Sequence, residues 1–228
     1  MKNTFSRMAV VALTLWLGFA AGAANADLTA ADGGLTVYDK GANLYWLADA
    51  NLVLSNNFGV ISSIRGDGTM QWRDAQSWIA AMDKANYLGY NDWRLPTTLQ
   101  PDLTCGVQNS LGSTGLSCTG SEMGNLFYNE LGGAAGIPIQ TQNNGKLALF
   151  QNVPYSRSYW SGTEWATYSD GYAWYFGTNG YQNVTGKFDW LYATAVRPAV
   201  PEPETYAMLL AGLGLLGFTA WRRKQNLG

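Results

Sequence analysis

Six side chains in three short stretches could together do binding chemistry: Trp165, Tyr168 and Asp170 in "TEWATYSDG", Tyr181 in "GTNGYQNVTG", and Asp189 with Trp190 in "KFDWLY". Rings stack on the C–H faces of a sugar, while carboxylates and amides fix its hydroxyls, so this mixture suits carbohydrate recognition. Tyr and Trp also offer contact area at low entropy cost. The plainer alternative is that the rings fill a core. Trp160, Trp174 and Phe176, inside strand-like runs, are expected to do that.

Other chemistries fare worse. The chain has no histidine, which removes Ser-His-Asp and Cys-His nucleophiles and imidazole metal sites. The two cysteines, Cys105 and Cys118, lie in the loop "TCGVQNSLGSTGLSCTG". In an oxidising compartment they are expected to pair, worth about 3 kcal/mol by closing a short loop. A catalytic cysteine would have no base beside it. A glycosidase needs two facing acids, and Glu164, Asp170 and Asp189 are the late candidates, with nothing to set their spacing. Gln100-Pro101-Asp102 and Asn91-Asp92 match pieces of a lectin calcium site but in the wrong order. Calcium needs about six to eight converging oxygens, so no metal and no cofactor are expected.

These residues are expected to sit in an exported chain. Lys2 and Arg7 precede an apolar run that ends in Ala24-Asn25-Ala26, the layout of a signal peptide over residues 1–26. At the other end Pro201-Glu202-Pro203 precedes an uncharged run, residues 205–221, and then Arg222-Arg223-Lys224. As a helix the run would rise about 25 Å, slightly less than a bilayer core. Its basic end would stay in the cytoplasm. The intervening residues 27–199 suit one domain. Without the two ends, the chain's 14 basic and 16 acidic residues fall to nine and 14, about −5 with no basic patch, so nucleic acid is a poor partner.

The elements that must hold the six residues can be read from periodicity. Leu35 and Val37, then Leu44 and Trp46, alternate about a turn at Lys40-Gly41-Ala42, a hairpin. Trp72, Ala75, Trp78, Ile79, Met82 and Ala85 mark one face of a helix ending near Gly89. Ser121 is the expected N-cap of a second helix. That helix buries Met123, Leu126, Phe127 and Leu131 and stops at Gly132. From Tyr159, the runs "YWSGT", "GYAWYFG", "GYQNV" and "YATAVRP" predict a β-meander. Two helices on a mostly antiparallel meander make an α+β fold. Trp93 is expected in the core, with Arg94 held by a carboxylate or by carbonyls.

Two resemblances extend this reading. Pro201, Glu202, Pro203, the Gly-containing apolar run and Arg222-Arg223 resemble the PEP-CTERM sorting signal of Gram-negative bacteria, residues 200–228 here. That resemblance implies processing by exosortase at the inner membrane, then passage to the cell surface or extracellular matrix. The run would then be an address rather than an anchor. The motifs "DWRLPT", "YWSGT" and "AVRP", over about residues 35–198, are similar to a bacterial domain family that includes the C-terminal domain of a collagen-like adhesin. Membership implies a C-type-lectin-like fold, related to formylglycine-generating enzymes and variable receptor domains. Those enzymes use late cysteines, and none follows Cys118. The expectation is a non-catalytic adhesion module for glycan, extracellular polysaccharide or a surface protein. The alternative is a matrix component without a discrete ligand.

Overall fold

Strand β1 (Leu28–Ala31) leads into β2 (Thr36–Asp39) and β3 (Leu44–Leu47), which form the expected hairpin with Val37 facing Trp46. Both of those side chains are buried, but Leu35 is half exposed in the turn before β2. The molecule is a computed structural model that describes residues 28–60, 64–142 and 144–199. The expected signal peptide (residues 1–26) and C-terminal apolar helix (205–221) lie outside the described residues. Among the described residues, no helix is long and apolar enough to cross a membrane.

Helix α1 (Trp72–Lys84) buries Ala75, Trp78, Ile79 and Met82, the i, i+3, i+4, i+7 stripe of a one-faced helix. It ends before Gly89 because Asn86 turns left-handed at φ +50°, which leaves Ala85 exposed beyond the stripe. A small ribbon follows, β4 (Val107–Asn109) with β5 (Gly112–Thr114), stapled by the expected Cys105–Cys118 disulfide.

Helix α2 (Glu122–Asn125) begins after Ser121 and widens into a π-turn over Leu126–Glu130, where the Leu131 N–H donates to the Leu126 carbonyl at 2.8 Å. Ser121 occupies the N-cap position without capping. Its hydroxyl accepts from the Leu99 N–H at 3.0 Å instead, tying the preceding loop to the helix.

Strands β6 (Ser158–Glu164), β7 (Tyr172–Gly177) and β8 (Gln182–Gly186) form the antiparallel meander. The run "YATAVRP" touches it only at Tyr192, which makes a single parallel bridge to Tyr159 of β6. Its strand β9 (Val196–Pro198) instead completes the N-terminal sheet in the order β1-β2-β3-β9. The fold is thus α+β, with antiparallel sheets and two short helices.

Side chains of the meander alternate between two cores. Tyr159 and Phe176 join Val37, Trp46, Met123 and Phe127, while Trp160 and Ala173 join Leu47, Trp78, Met82 and Trp93. A strand covered on both faces reads as a continuous apolar run rather than a clean alternation, which is how "YAWYFG" looks. Trp160, Trp174 and Phe176 are buried as expected.

Candidate functional site

The loop from β6 to β7 is closed by backbone bonds from the Trp165 N–H to the Tyr172 carbonyl (3.1 Å) and from the Gly171 N–H to the Tyr168 carbonyl (3.1 Å). That closure gathers three rings. Trp165 lies 5.2 Å from Tyr168 and 5.6 Å from Tyr172, centroid to centroid, and the two tyrosines are 6.5 Å apart. Tyr168 is 61% and Tyr172 43% exposed, so the cluster faces water, and Asp170 is exposed in the same loop.

Lys187 holds this loop to the rest of the fold. Its ammonium sits 4.0 Å over the Trp72 ring, 3.1 Å from the Glu164 carboxylate, and donates to the Ser169 carbonyl. Its backbone repeats the tie: the Lys187 N–H donates to the Gly171 carbonyl at 2.8 Å, and the Lys187 carbonyl accepts from the Trp72 N–H at 3.1 Å. The rings therefore stand on a braced platform between α1 and the sheet. Tyr172, Lys187 and Trp72 are not among the six site candidates selected from sequence, where Trp72 was read only as part of a helix face. Tyr172 could have been found as the first residue of its strand, next to the aromatic loop. The Lys187 contacts span 115 positions to Trp72 and have no local signal.

Tyr181 and Asp189 belong to a second group, around β8. The Asn183 amide donates to the Tyr181 hydroxyl at 3.2 Å, and Asp189 accepts from the Thr185 hydroxyl. Tyr175, opposite Asn183 in the sheet, has its phenol pushed above the usual tyrosine range by burial first, then by Tyr181 and Asp189. Trp190 is placed differently: it is half-buried, and the Arg65 guanidinium lies 3.9 Å over its ring. Five of the six sequence-selected residues thus fall into two groups on the β6–β8 meander and the turns around it, while the sixth has one face already covered.

The remaining candidates are committed to the fold. Asp102 is 1% exposed; one oxygen accepts from the Thr104 N–H and hydroxyl (3.0 and 2.6 Å), the other from the Gly120 N–H (3.0 Å). Gln100 exchanges two bonds with the Ser113 backbone, at 2.8 and 3.1 Å. The Gln100-Pro101-Asp102 triplet therefore braces the disulfide loop from inside. Asp102, Cys105 and Cys118 lie close together, but the two sulfurs are bonded to each other.

In the Asp92-Trp93-Arg94-Leu95-Pro96-Thr97 motif, Trp93 is 2% exposed in the core, and Arg94 makes a forked pair with Glu122 at 2.7 and 2.6 Å. Glu122 also accepts from the Thr97 N–H at 2.7 Å. One carboxylate thus clamps both ends of the motif onto the start of α2. Glu122→Ala is expected to cost about 2 kcal/mol, since it leaves a half-buried guanidinium with only the Leu95 carbonyl and the Thr97 N–H without its carboxylate acceptor. A shift of the urea midpoint at unchanged slope would measure it.

A cavity of about 80 Å³ lies between α2 and the segment around Leu147 and Phe150, lined by Met123, Phe127, Leu131 and Tyr159. Its walls are almost wholly apolar, which does not suit a polyhydroxylated ligand.

No curated protein matches the chain. A family model described as the Lcl C-terminal domain matches residues 35–197, well over half of the sequence. A PEP-CTERM protein-sorting motif matches residues 199–224, which implies exosortase processing and export to the cell envelope or surface. The chain belongs to the Lcl C-terminal domain family and carries its PEP-CTERM sorting motif directly behind that domain.

Proposed function

We propose that this is a non-catalytic binding module of C-type-lectin-like fold that engages glycan, in particular extracellular polysaccharide, through the loop between β6 and β7. The observation that carries the reading is the ring cluster of half-buried Trp165 with water-facing Tyr168 and Tyr172, in a loop held by Lys187. Two exposed tyrosines beside a half-buried indole leave ring surface open to a stacking ligand. Asp170, and the Tyr181, Asn183 and Asp189 group, supply hydrogen-bonding partners for hydroxyls. A non-catalytic role agrees with the carboxylates, because Glu164 is paired with Lys187 and Asp189 with the Thr185 hydroxyl. In this reading residues 1–26 direct export. The apolar run 205–221 crosses the inner membrane only until exosortase acts, and the domain then works at the cell surface or in the matrix.

The test is binding of residues 27–199 to a glycan panel that includes the host's own extracellular polysaccharide, with and without calcium. Saturable binding is expected, with Tyr168→Ala/Tyr172→Ala weakening it about tenfold, the weight of two lost ring contacts. Calcium should leave it unchanged. No saturable binding to any glycan would sink the reading in favour of a matrix component or a protein partner.

A further inference from the structure

The sorting motif starts on a residue that is still part of the fold. Ala199, the first position of the motif match, is 7% exposed and bonded to the β2–β3 turn. Its N–H donates to the Asn43 carbonyl at 2.9 Å, and its carbonyl accepts from the Asn43 side-chain amide at 3.2 Å. Asn43 is itself fixed: its backbone is left-handed at φ +54°, and its side-chain oxygen accepts from the Tyr38 hydroxyl at 3.3 Å.

The three residues before Ala199 are held more firmly still. β9 pairs with β3 along one edge, and on the other edge Val196 exchanges two backbone bonds with Arg94, both 2.9 Å. The Arg197 guanidinium lies between the Tyr45 and Tyr90 rings at 3.9 and 3.4 Å. In the sequence, Pro201 follows Ala199 by two positions.

An enzyme that grips an extended substrate on both sides of the bond it cuts needs free backbone there. Here the upstream side is locked into a sheet. We propose that the β2–β3 turn, Lys40–Asn43, is the surface of this domain that meets exosortase, and that the Asn43 clamp on Ala199 sets how readily the tail is removed. Lys40 and Gly41 are exposed on that turn, beside the point where the motif leaves the domain. The proposal rests on processing of the motif by exosortase and is independent of the glycan reading.

The test uses the full chain in its own host, following tail removal by pulse-chase. Asn43→Gly keeps the left-handed backbone available and retains the main-chain bond, while deleting the side-chain bond to Ala199. It is expected to speed tail removal about fivefold, the weight of one ordinary hydrogen bond. Inserting six Gly/Ser residues between Ala199 and Val200 frees the motif from the clamp, so Asn43→Gly should have no effect in that background. A photo-crosslinking residue at Lys40 should capture exosortase in the chain with native spacing. Equal rates for Asn43→Gly and the unaltered chain would overturn the proposal, as would the same acceleration in the spacer background or no crosslink from position 40. A chain whose tail is never removed would overturn it by a different route, through accumulation of full-length precursor in every variant.

Discussion

Trp160→Ala is expected to lower the domain's stability by about 4 kcal/mol, a large part of the roughly 5–15 kcal/mol that holds a typical domain folded. The indole is fully buried, and its Nε1–H donates to the Met70 carbonyl at 2.8 Å. Around it lie Leu47, Met70, Trp78, Met82, Trp93 and Ala173, drawn from the N-terminal sheet, the segment before α1, α1 itself, the DWRLPT motif and the meander. Truncation opens a cavity among elements that cannot all close in, because each is also tied elsewhere. The Trp160 N–H, for example, bonds to the Tyr192 carbonyl at 2.9 Å. Urea unfolding should show the loss as a lower midpoint. Trp160→Phe keeps most of the volume and should cost only about 1–2 kcal/mol, the share of the lost N–H bond and of the smaller ring. If both variants unfold at the same midpoint, the hydrogen bond rather than the packed volume dominates, and the expectation fails.

The second large effect comes from adding a single carbon. A Cβ on Gly124 in α2 would lie 1.7 Å from the Cys118 carbonyl oxygen and 2.9 Å from its carbon. Both are backbone atoms of a residue held by the disulfide, so neither can swing aside as a flexible side chain would. Gly124→Ala is expected to destabilise by about 3 kcal/mol, at the upper end for overpacking. Gly145→Ala is the control. A Cβ there meets no atom within 4 Å and the backbone is not left-handed, so alanine should stabilise by about 0.5 kcal/mol through the unfolded chain alone. Opposite signs in thermal unfolding would separate close approach from glycine entropy. A Gly124→Ala domain as stable as the native one would mean that α2 can move off the disulfide loop.

Much of this was legible before any fold was known, wherever a local rule carried the signal. The stripe Ala75, Trp78, Ile79 and Met82 places α1 because a helix repeats every 3.6 residues within one stretch of chain. Ser121 and Gly132 bracket α2 and its π-turn because helix ends need particular backbone shapes. The buried Trp93, Trp160 and Trp174 follow from rings set in strand-like runs. Sorting, and the export it implies, was legible too, since the PEP-CTERM motif is a linear signal with no need of a fold.

What only the tertiary structure decided is which distant pieces meet. The last strand looks like a fourth strand of the meander by composition, yet it pairs with β3 some 150 positions away, because strand patterning specifies which face is buried but not the partner. Ser121 was found by position, but its hydroxyl serves Leu99, while Glu122 spends its charge on Arg94. Likewise the aromatic loop was visible as composition. Its platform, with Lys187 between Glu164, Ser169 and Trp72, exists only once α1 packs against the sheet. Periodicity and capping are short-range consequences of backbone geometry, so one sequence window contains them. Ion pairs, ring contacts and strand partners depend on where two windows are brought together, and that is settled by the packing of the whole core.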